Sequence, residues 1–354
     1  MRFGSFSVIL DSKEYINQNI VFPNNDNNDN NDNSILYKIT QIKNSHNGEE
    51  LYSDFFDKKN NYLARIYKDT FKEIDKNDKL IKYIKENIKK YEDYDINGIF
   101  KNNILTDYKL LGYFVEDAGN YDLHDTLSQL SELEHNIWSV NTLTKLNDFV
   151  YHMCKCLEYL EASNMGHFDI KPENIVYNIT KSSGLKFKLI DFGFADHYPF
   201  DKFTSKLYGS HDYVPFYLSK IKYAPWRINN RPNDWYYNYI QQKYCHYISK
   251  QYIPDLVYKS DIYSMGTVFN QLLYYIEDHF NRLNIPMFDI RHIRILIEYM
   301  THENINLRYN SKKCIKYLGE EAESSNKLEA VESDNLLDAE NKNNCLNCFK
   351  CLKN

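Results

Sequence analysis

The stretch His167-Phe168-Asp169-Ile170-Lys171-Pro172-Glu173-Asn174, followed by Asp191-Phe192-Gly193, decides how this chain is read. Phosphoryl transfer needs a carboxylate to orient an attacking hydroxyl and take its proton. It also needs a cation to neutralise the moving group, and hard oxygen ligands to hold Mg²⁺ against the phosphates. Asp169, Lys171 and Asn174 could supply these parts from one loop. The apolar run Phe187 to Ile190 predicts a strand that delivers Asp191 at its end, with Phe192 as an apolar anchor and Gly193 letting the backbone turn.

At these residues the sequence resembles the eukaryotic-type serine/threonine protein kinase superfamily. His-Phe-Asp-Ile-Lys-Pro-Glu-Asn is similar to its catalytic loop, Asp-Phe-Gly stands at the expected strand end, and lysine two residues after the aspartate resembles the serine/threonine branch. The resemblance implies an α+β, bilobal fold with a small β-rich N-lobe and a larger, mainly helical C-lobe. It further implies ATP and Mg²⁺ as cofactors and a protein serine or threonine as substrate. Asp169 would then be the base, Lys171 the stabiliser of the phosphoryl group, and Asn174 with Asp191 the metal ligands. Lys259-Ser260-Asp261-Ile262-Tyr263-Ser264-Met265-Gly266 is similar to the start of the family's buried central helix, in which Asp261 would accept hydrogen bonds from catalytic-loop amides. By itself, an aspartate ahead of an apolar helix also reads as an N-cap. Gly209-Ser210-His211-Asp212-Tyr213-Val214-Pro215 resembles the end of the activation segment and would bring Ser210 to Asp169 and Lys171.

Working toward the amino terminus, Tyr108 to Val115 predicts a continuous apolar strand. By the resemblance, Val115 would stand at the back of an adenine pocket, with backbone groups of Glu116 and Ala118 on the base edge. Ile35-Leu36-Tyr37-Lys38 has the texture of the strand that carries the nucleotide lysine, so Lys38 is assigned there, with Lys43 as the fallback. Glu49 and Glu50 are candidates for its helix partner, and Glu50 is preferred. Both also read as acids that complement a helix N-terminus. Gly4-Ser5-Phe6-Ser7-Val8 is similar to the centre of a glycine-rich phosphate loop. Only Gly4 remains of its glycines, which weakens backbone approach to phosphate.

Other departures carry consequences. Phe168 stands where most family members have arginine, and phenylalanine cannot clasp a phosphorylated activation loop. Activity is therefore expected to need no phosphorylation there. Pro215-Phe216-Tyr217 replaces Ala-Pro-Glu, so Arg308, the apparent match to the arginine that pairs with that glutamate, must find another partner or bear the cost of burial. These erosions keep a second class open, a pseudokinase that binds nucleotide or scaffolds without turnover. A third class is a small-molecule phosphotransferase. Such enzymes share the His-x-Asp loop but usually lack the Lys171 position and the Lys259–Gly266 helix signature.

The domain reading is an N-lobe over 1–116 and a C-lobe over 117–318 with an insertion at about 218–255. The N-lobe would carry the low-complexity Asn/Asp loop 24–33 and a helical insertion at about 56–100. An acidic tail, 319–354, ends in Cys345, Cys348 and Cys351. Helices are expected over Leu123 to Leu127, Leu143 to Leu160 and Asp261 to Ile276.

The chain of 354 residues has 26% charged and 43% hydrophobic residues, which fits a globular protein. Its 43 basic and 49 acidic residues give a net charge of −6, which argues against a general nucleic-acid binder. No stretch approaches the roughly 18 to 20 apolar residues of a membrane helix, and the first ten residues lack a secretory core. Seven scattered cysteines do not form a disulfide framework, so a cytoplasmic location is expected. Membrane attachment is expected only if the terminal cysteines are acylated.

Overall fold

A computed structural model describes residues 2–3, 7–10, 35–43, 48–75, 77–88, 108–131, 142–180, 184–197, 210, 212–213, 215, 253–284 and 286–320. Gly4, the loop 24–33, Tyr217, almost all of the 218–255 insertion and the cysteine-bearing tail lie outside these residues.

The amino-terminal part is one antiparallel sheet in the order β1-β2-β3-β5-β4. Its strands are β1 (Arg2–Phe3), β2 (Ser7–Leu10), β3 (Ile35–Lys43), β4 (Lys72–Ile74) and β5 (Tyr108–Glu116). The register sets Leu36 opposite Val115 and Lys38 opposite Tyr113. Because side chains alternate across a strand, β3 and β5 serve two environments. Tyr37, Ile39, Leu110 and Phe114 join Val8, Leu10 and Ile74 in an outer cluster, closed by Leu80, Ile81 and Ile84 of helix α3 (Lys79–Ile88). Leu111 and Tyr113, on the other face, belong to the main core shared with the helical part. Gly112 is needed at the crossing, since a Cβ there would lie 2.1 Å from the Tyr37 hydroxyl.

Two short helices precede β4, α1 (Gly48–Leu51) and α2 (Ser53–Phe56). The expected helical run at about 56–100 differs in the structure, because it includes strand β4 and an extended segment around Leu63 and Ile66. Those two residues have helical spacing, but each forms a β-bridge, Leu63 to Leu189 and Ile66 to Val115. The apolar pattern therefore records docking onto neighbouring strands and not a helix face.

The second part begins with β6 (Tyr121–Asp122), α4 (Leu123–Ser131) and α5 (Thr142–Ala162). A three-stranded sheet, β6-β8-β9, contains β8 (Ile175–Thr180) and β9 (Gly184–Leu189). A smaller pair joins β7 (Met165–Gly166) to β10 (Asp196–His197). Behind them stand α6 (Ile253–Arg282), α7 (Arg291–Met300) and a last helix over 311–320. The core of this part is built from α5 and α6, with Phe149, Met153, Leu157, Met265, Phe269 and Leu272 buried among others. The architecture is the expected β-rich amino-terminal part and helical carboxy-terminal part. Among the described residues, no helix is long and apolar enough to cross a membrane.

Candidate active site

The β8–β9 hairpin carries the site to the seam between the two parts. Ile175 pairs with Leu189, and one step outward Ile190 N–H donates to the Asn174 carbonyl at 3.0 Å. Asn174 and Asp191 therefore leave the same end of one hairpin.

Lys38 is buried, with 4% of its surface exposed, and its Nζ donates to both oxygens of Glu49 at 3.0 and 3.1 Å and to Asp191 Oδ1 at 2.8 Å. Burial opposes its charge, yet the two carboxylates outweigh burial and raise the ammonium above its ordinary value. Around Asp191 close packing opposes ionisation, although 42% of the side chain is exposed. Lys38 prevails and holds that carboxyl below the ordinary range. Glu49 goes the other way. Burial raises it despite Lys38, and it also accepts from the Tyr113 hydroxyl and from Phe192 N–H at 3.0 Å.

The helix residue on Lys38 is therefore Glu49, whereas Glu50, preferred from the sequence, is exposed. Successive helix positions point about 100° apart, so only one of the two acids can meet the lysine. A Cβ on Gly48 would lie 2.3 Å from the Ala195 carbonyl oxygen. That close approach sets the rotation of the helix, and Gly48 was the signal in the sequence that could have chosen Glu49. The side chain of Lys43, the fallback, is not among those described.

Asp169, 5% exposed, receives four donors. Ser210 gives its N–H at 3.0 Å and its hydroxyl at 2.9 Å to Oδ1, while Asn174 Nδ2 at 3.2 Å and Lys171 Nζ at 3.1 Å reach Oδ2. Lys171 also donates to Ser210 Oγ at 3.2 Å. Asp169, Lys171, Asn174 and Ser210 are thus one connected group.

The loop beneath them is strained and held. Phe168 and Asp191 have φ of 62° and 63°, a region non-glycine residues seldom enter. Asp261 supports the first by accepting the amides of His167 at 2.7 Å and Phe168 at 2.9 Å. Burial pushes the Asp261 carboxyl up, against the pull of nearby His167. The His167 ring receives Asp169 N–H at its Nδ1 at 3.2 Å and lies 3.0 Å through Nε2 from the Ile190 carbonyl. An Nε2–H tautomer satisfies both. The same ring lies 5.1 Å from Phe192, which stacks at 4.2 Å on Phe56. Residue types alone gave no indication of this column.

At the far end of β5, Glu116 is lashed in place. Both its oxygens accept Lys188 Nζ at 2.8 Å, Arg65 N–H donates at 2.9 Å, and its own N–H goes to the Arg65 carbonyl at 2.8 Å. The Ala118 carbonyl accepts from Asn178 Nδ2 at 3.4 Å, and Val115 stands opposite Leu36. Arg308, 1% exposed, spends its guanidinium on the carbonyls of His302 at 3.0 Å and Lys259 at 2.9 Å, over the Tyr263 ring. Among the described residues, backbone carbonyls and an aromatic face are what meet this charge.

Comparison with known proteins agrees with this geometry. The protein kinase domain family matches residues 102–223, which hold the catalytic loop and the Asp191 segment. Residues 102–223 are thus similar to a protein kinase domain. MAP kinase-activated protein kinase 2 of Drosophila melanogaster is 30% identical over 86 residues, 24% of this chain and 23% of that protein. An Aurora kinase of Schizosaccharomyces pombe is 31% identical over 109 residues, 31% of this chain and 27% of its own length. Mitogen-activated protein kinase 16 of Oryza sativa subsp. japonica is 24% identical over 216 residues, 58% of this chain and 33% of that protein. The chain thus spans about a quarter to a third of the length of these relatives. The matched residues take in strand β5 and the segment from Asp169 to Asp191, whereas strand β3, which bears Lys38, lies outside them.

The donor set fits Mg²⁺. Both contacts of Asn174 Nδ2 go to Asp169, at its carbonyl oxygen (2.8 Å) and at Oδ2, which assigns the amide nitrogen and turns Oδ1 into the remaining donor atom. Asp191 adds a partly exposed carboxylate. Among the described residues, no cluster of three or more His, Cys, Asp or Glu side chains could hold a metal. Mg²⁺ commonly takes one or two protein ligands and completes its shell with phosphates and water.

Proposed function

We propose that the protein is an ATP- and Mg²⁺-dependent serine/threonine protein kinase that transfers the γ-phosphate to a protein hydroxyl. The observation that carries this reading is the pairing of Lys38 with Glu49 and Asp191, alongside an Asp169 whose carboxylate is aimed by Lys171, Asn174 and Ser210. The arrangement concentrates three carboxylates and two lysines at a seam, a clustering that favours a functional site over a merely structural one.

Lys38 would bind the α/β-phosphates, and Glu49 fixes where its ammonium sits. Asp191 and Asn174 would hold Mg²⁺, which when bound neutralises charge between the phosphates. Asp169 Oδ1 now accepts the hydroxyl of Ser210, so a hydroxyl is already the partner this oxygen is set up to take. A substrate serine or threonine would be oriented by Asp169 in the same way and pass its proton there. Lys171, one hydrogen bond away, would balance charge on the transferring group. Val115, the Glu116 and Ala118 backbone and Gly4 are assigned to the nucleotide on the family resemblance. Burial of unpaired thiols at Cys154, Cys156 and Cys314 suits the reducing, cytoplasmic compartment we assign.

The test is ATP turnover with Mg²⁺ or Mn²⁺, wild type against Asp169→Asn. A drop of about 10²-fold or more is expected from loss of the base. Equal rates would favour a scaffold that keeps the fold without turnover.

A further inference from the structure

The helical pieces α1 and α2 are fastened to the segment that follows Asp191 at four points. Gly48 N–H donates to the Gly193 carbonyl at 3.0 Å. Glu49 accepts Phe192 N–H, and Phe56 stacks on Phe192. Tyr52, at the break between the two helices, donates its hydroxyl to Asp196 Oδ1. Asp196 belongs to β10, which pairs with β7 directly before the catalytic loop, and its Oδ1 also accepts His197 N–H at 2.8 Å. The first three contacts lie within three residues of Asp191. Among the described residues, the Tyr52 contact is the one of the four that reaches strand β10, which anchors the segment on the catalytic part.

Elsewhere in such a site, order could come from a phosphate clasped by an arginine ahead of Asp169. Phe168 occupies that position and cannot clasp one. We propose that Tyr52 is a positioning residue whose hydrogen bond to Asp196 latches helices α1 and α2 against segment 191–197 and so keeps Glu49 on Lys38 without any phosphate. This rests on the kinase reading for its effect on rate, but not for its effect on structure. The Tyr52 hydroxyl is held up at about 12, chiefly by burial and then by Asp196, so it stays a donor throughout the physiological range. Among the described residues, His197, with its ring 6.1 Å from that of Tyr52, also faces the pair.

The latch is tested on the full chain with Tyr52→Phe, Asp196→Asn and the double variant. Phenylalanine preserves the ring contacts and removes only the donor. Hydrogen exchange at the amides of 48–56 should quicken about tenfold in Tyr52→Phe, the scale of losing one hydrogen bond to a charged group, while α5 amides stay unchanged. Unchanged exchange at 48–56 overturns the latch. If the wild type phosphorylates a peptide, each single variant should lower kcat about tenfold, with KM for ATP moving less. The double variant should fall no further than the worse single one. A double variant whose losses multiply overturns the coupling. Faster exchange in a protein without turnover would uphold the latch while removing the kinase reading.

Discussion

Replacing Lys38 with methionine keeps the apolar stem of the side chain and deletes its charge. In the structure this strips three hydrogen bonds from two carboxylates, one of them on Glu49 with 2% of its side chain exposed. Breaking a buried ion pair by removing one partner costs about 3 to 5 kcal/mol. Glu49 keeps the Tyr113 hydroxyl and Phe192 N–H, and burial already pushes its carboxyl up, so it can take a proton instead of staying charged. Asp191, two-fifths exposed, can be hydrated. The low end therefore applies, about 3 kcal/mol near neutral pH, or about 6 °C in Tm at roughly 2 °C per kcal/mol for a chain of this size. Proton uptake becomes easier by about 1.4 kcal/mol per pH unit. The gap between Lys38→Met and wild type should therefore narrow by about half when pH is lowered from 7.5 to 6.5. Thermal unfolding followed by circular dichroism at both pH values measures this, with Lys38→Met/Glu49→Gln as the companion that should regain most of the loss. A single variant melting within about 1 °C of wild type at pH 7.5, or a gap unchanged by pH, would refute the claim that Lys38 stabilises a buried Glu49 charge.

Asp261→Asn leaves one catalytic-loop amide facing an NH₂ group, and denaturant unfolding should show a loss of about 1 to 3 kcal/mol; an unchanged midpoint would mean that Asp261 does not support the strained Phe168. Asp191, held below its ordinary value, contributes stability that is present above about pH 4 and lost as pH falls through its lowered folded value. The Tm advantage of wild type over Asp191→Asn should accordingly persist from pH 6 to 4 and vanish below, and an advantage that grows on acidification would contradict the assignment. Because Phe168 offers no clasp for a phosphate, protein stripped by a phosphatase should keep its rate toward a peptide; a large drop would show that a phosphate is needed after all.

How far the sequence could be read depended on how local the determining interactions are. Strand Tyr108–Glu116 and helix Thr142–Ala162 fall where the continuous apolar run and helical spacing put them, and the helix expected over Asp261 to Ile276 is there but extends to Ile253–Arg282, beyond its apolar stretch at both ends. The group around Asp169 was legible because one short loop carries three of its members. The stretch from 56 to 100 was less so. Leu63 and Ile66 are apolar because partners at Leu189 and Val115 receive them, and no window around 63 contains that fact. The choice between Glu49 and Glu50 likewise depended on the helix rotation that Gly48 permits against Ala195, a contact between residues far apart in the chain. Tyr52, Tyr113 and Lys188 were silent for the same reason. Each is an ordinary residue in its own segment and takes its part only through a carboxylate brought in from elsewhere.

The most direct test of the account is where a metal sits when nucleotide is bound. Crystals of the full chain with a non-hydrolysable ATP analogue and Mn²⁺ should give an anomalous peak within bonding distance of an Asp191 oxygen and Asn174 Oδ1, with the terminal phosphate turned toward Asp169. A bound nucleotide whose metal touches neither side chain would contradict it.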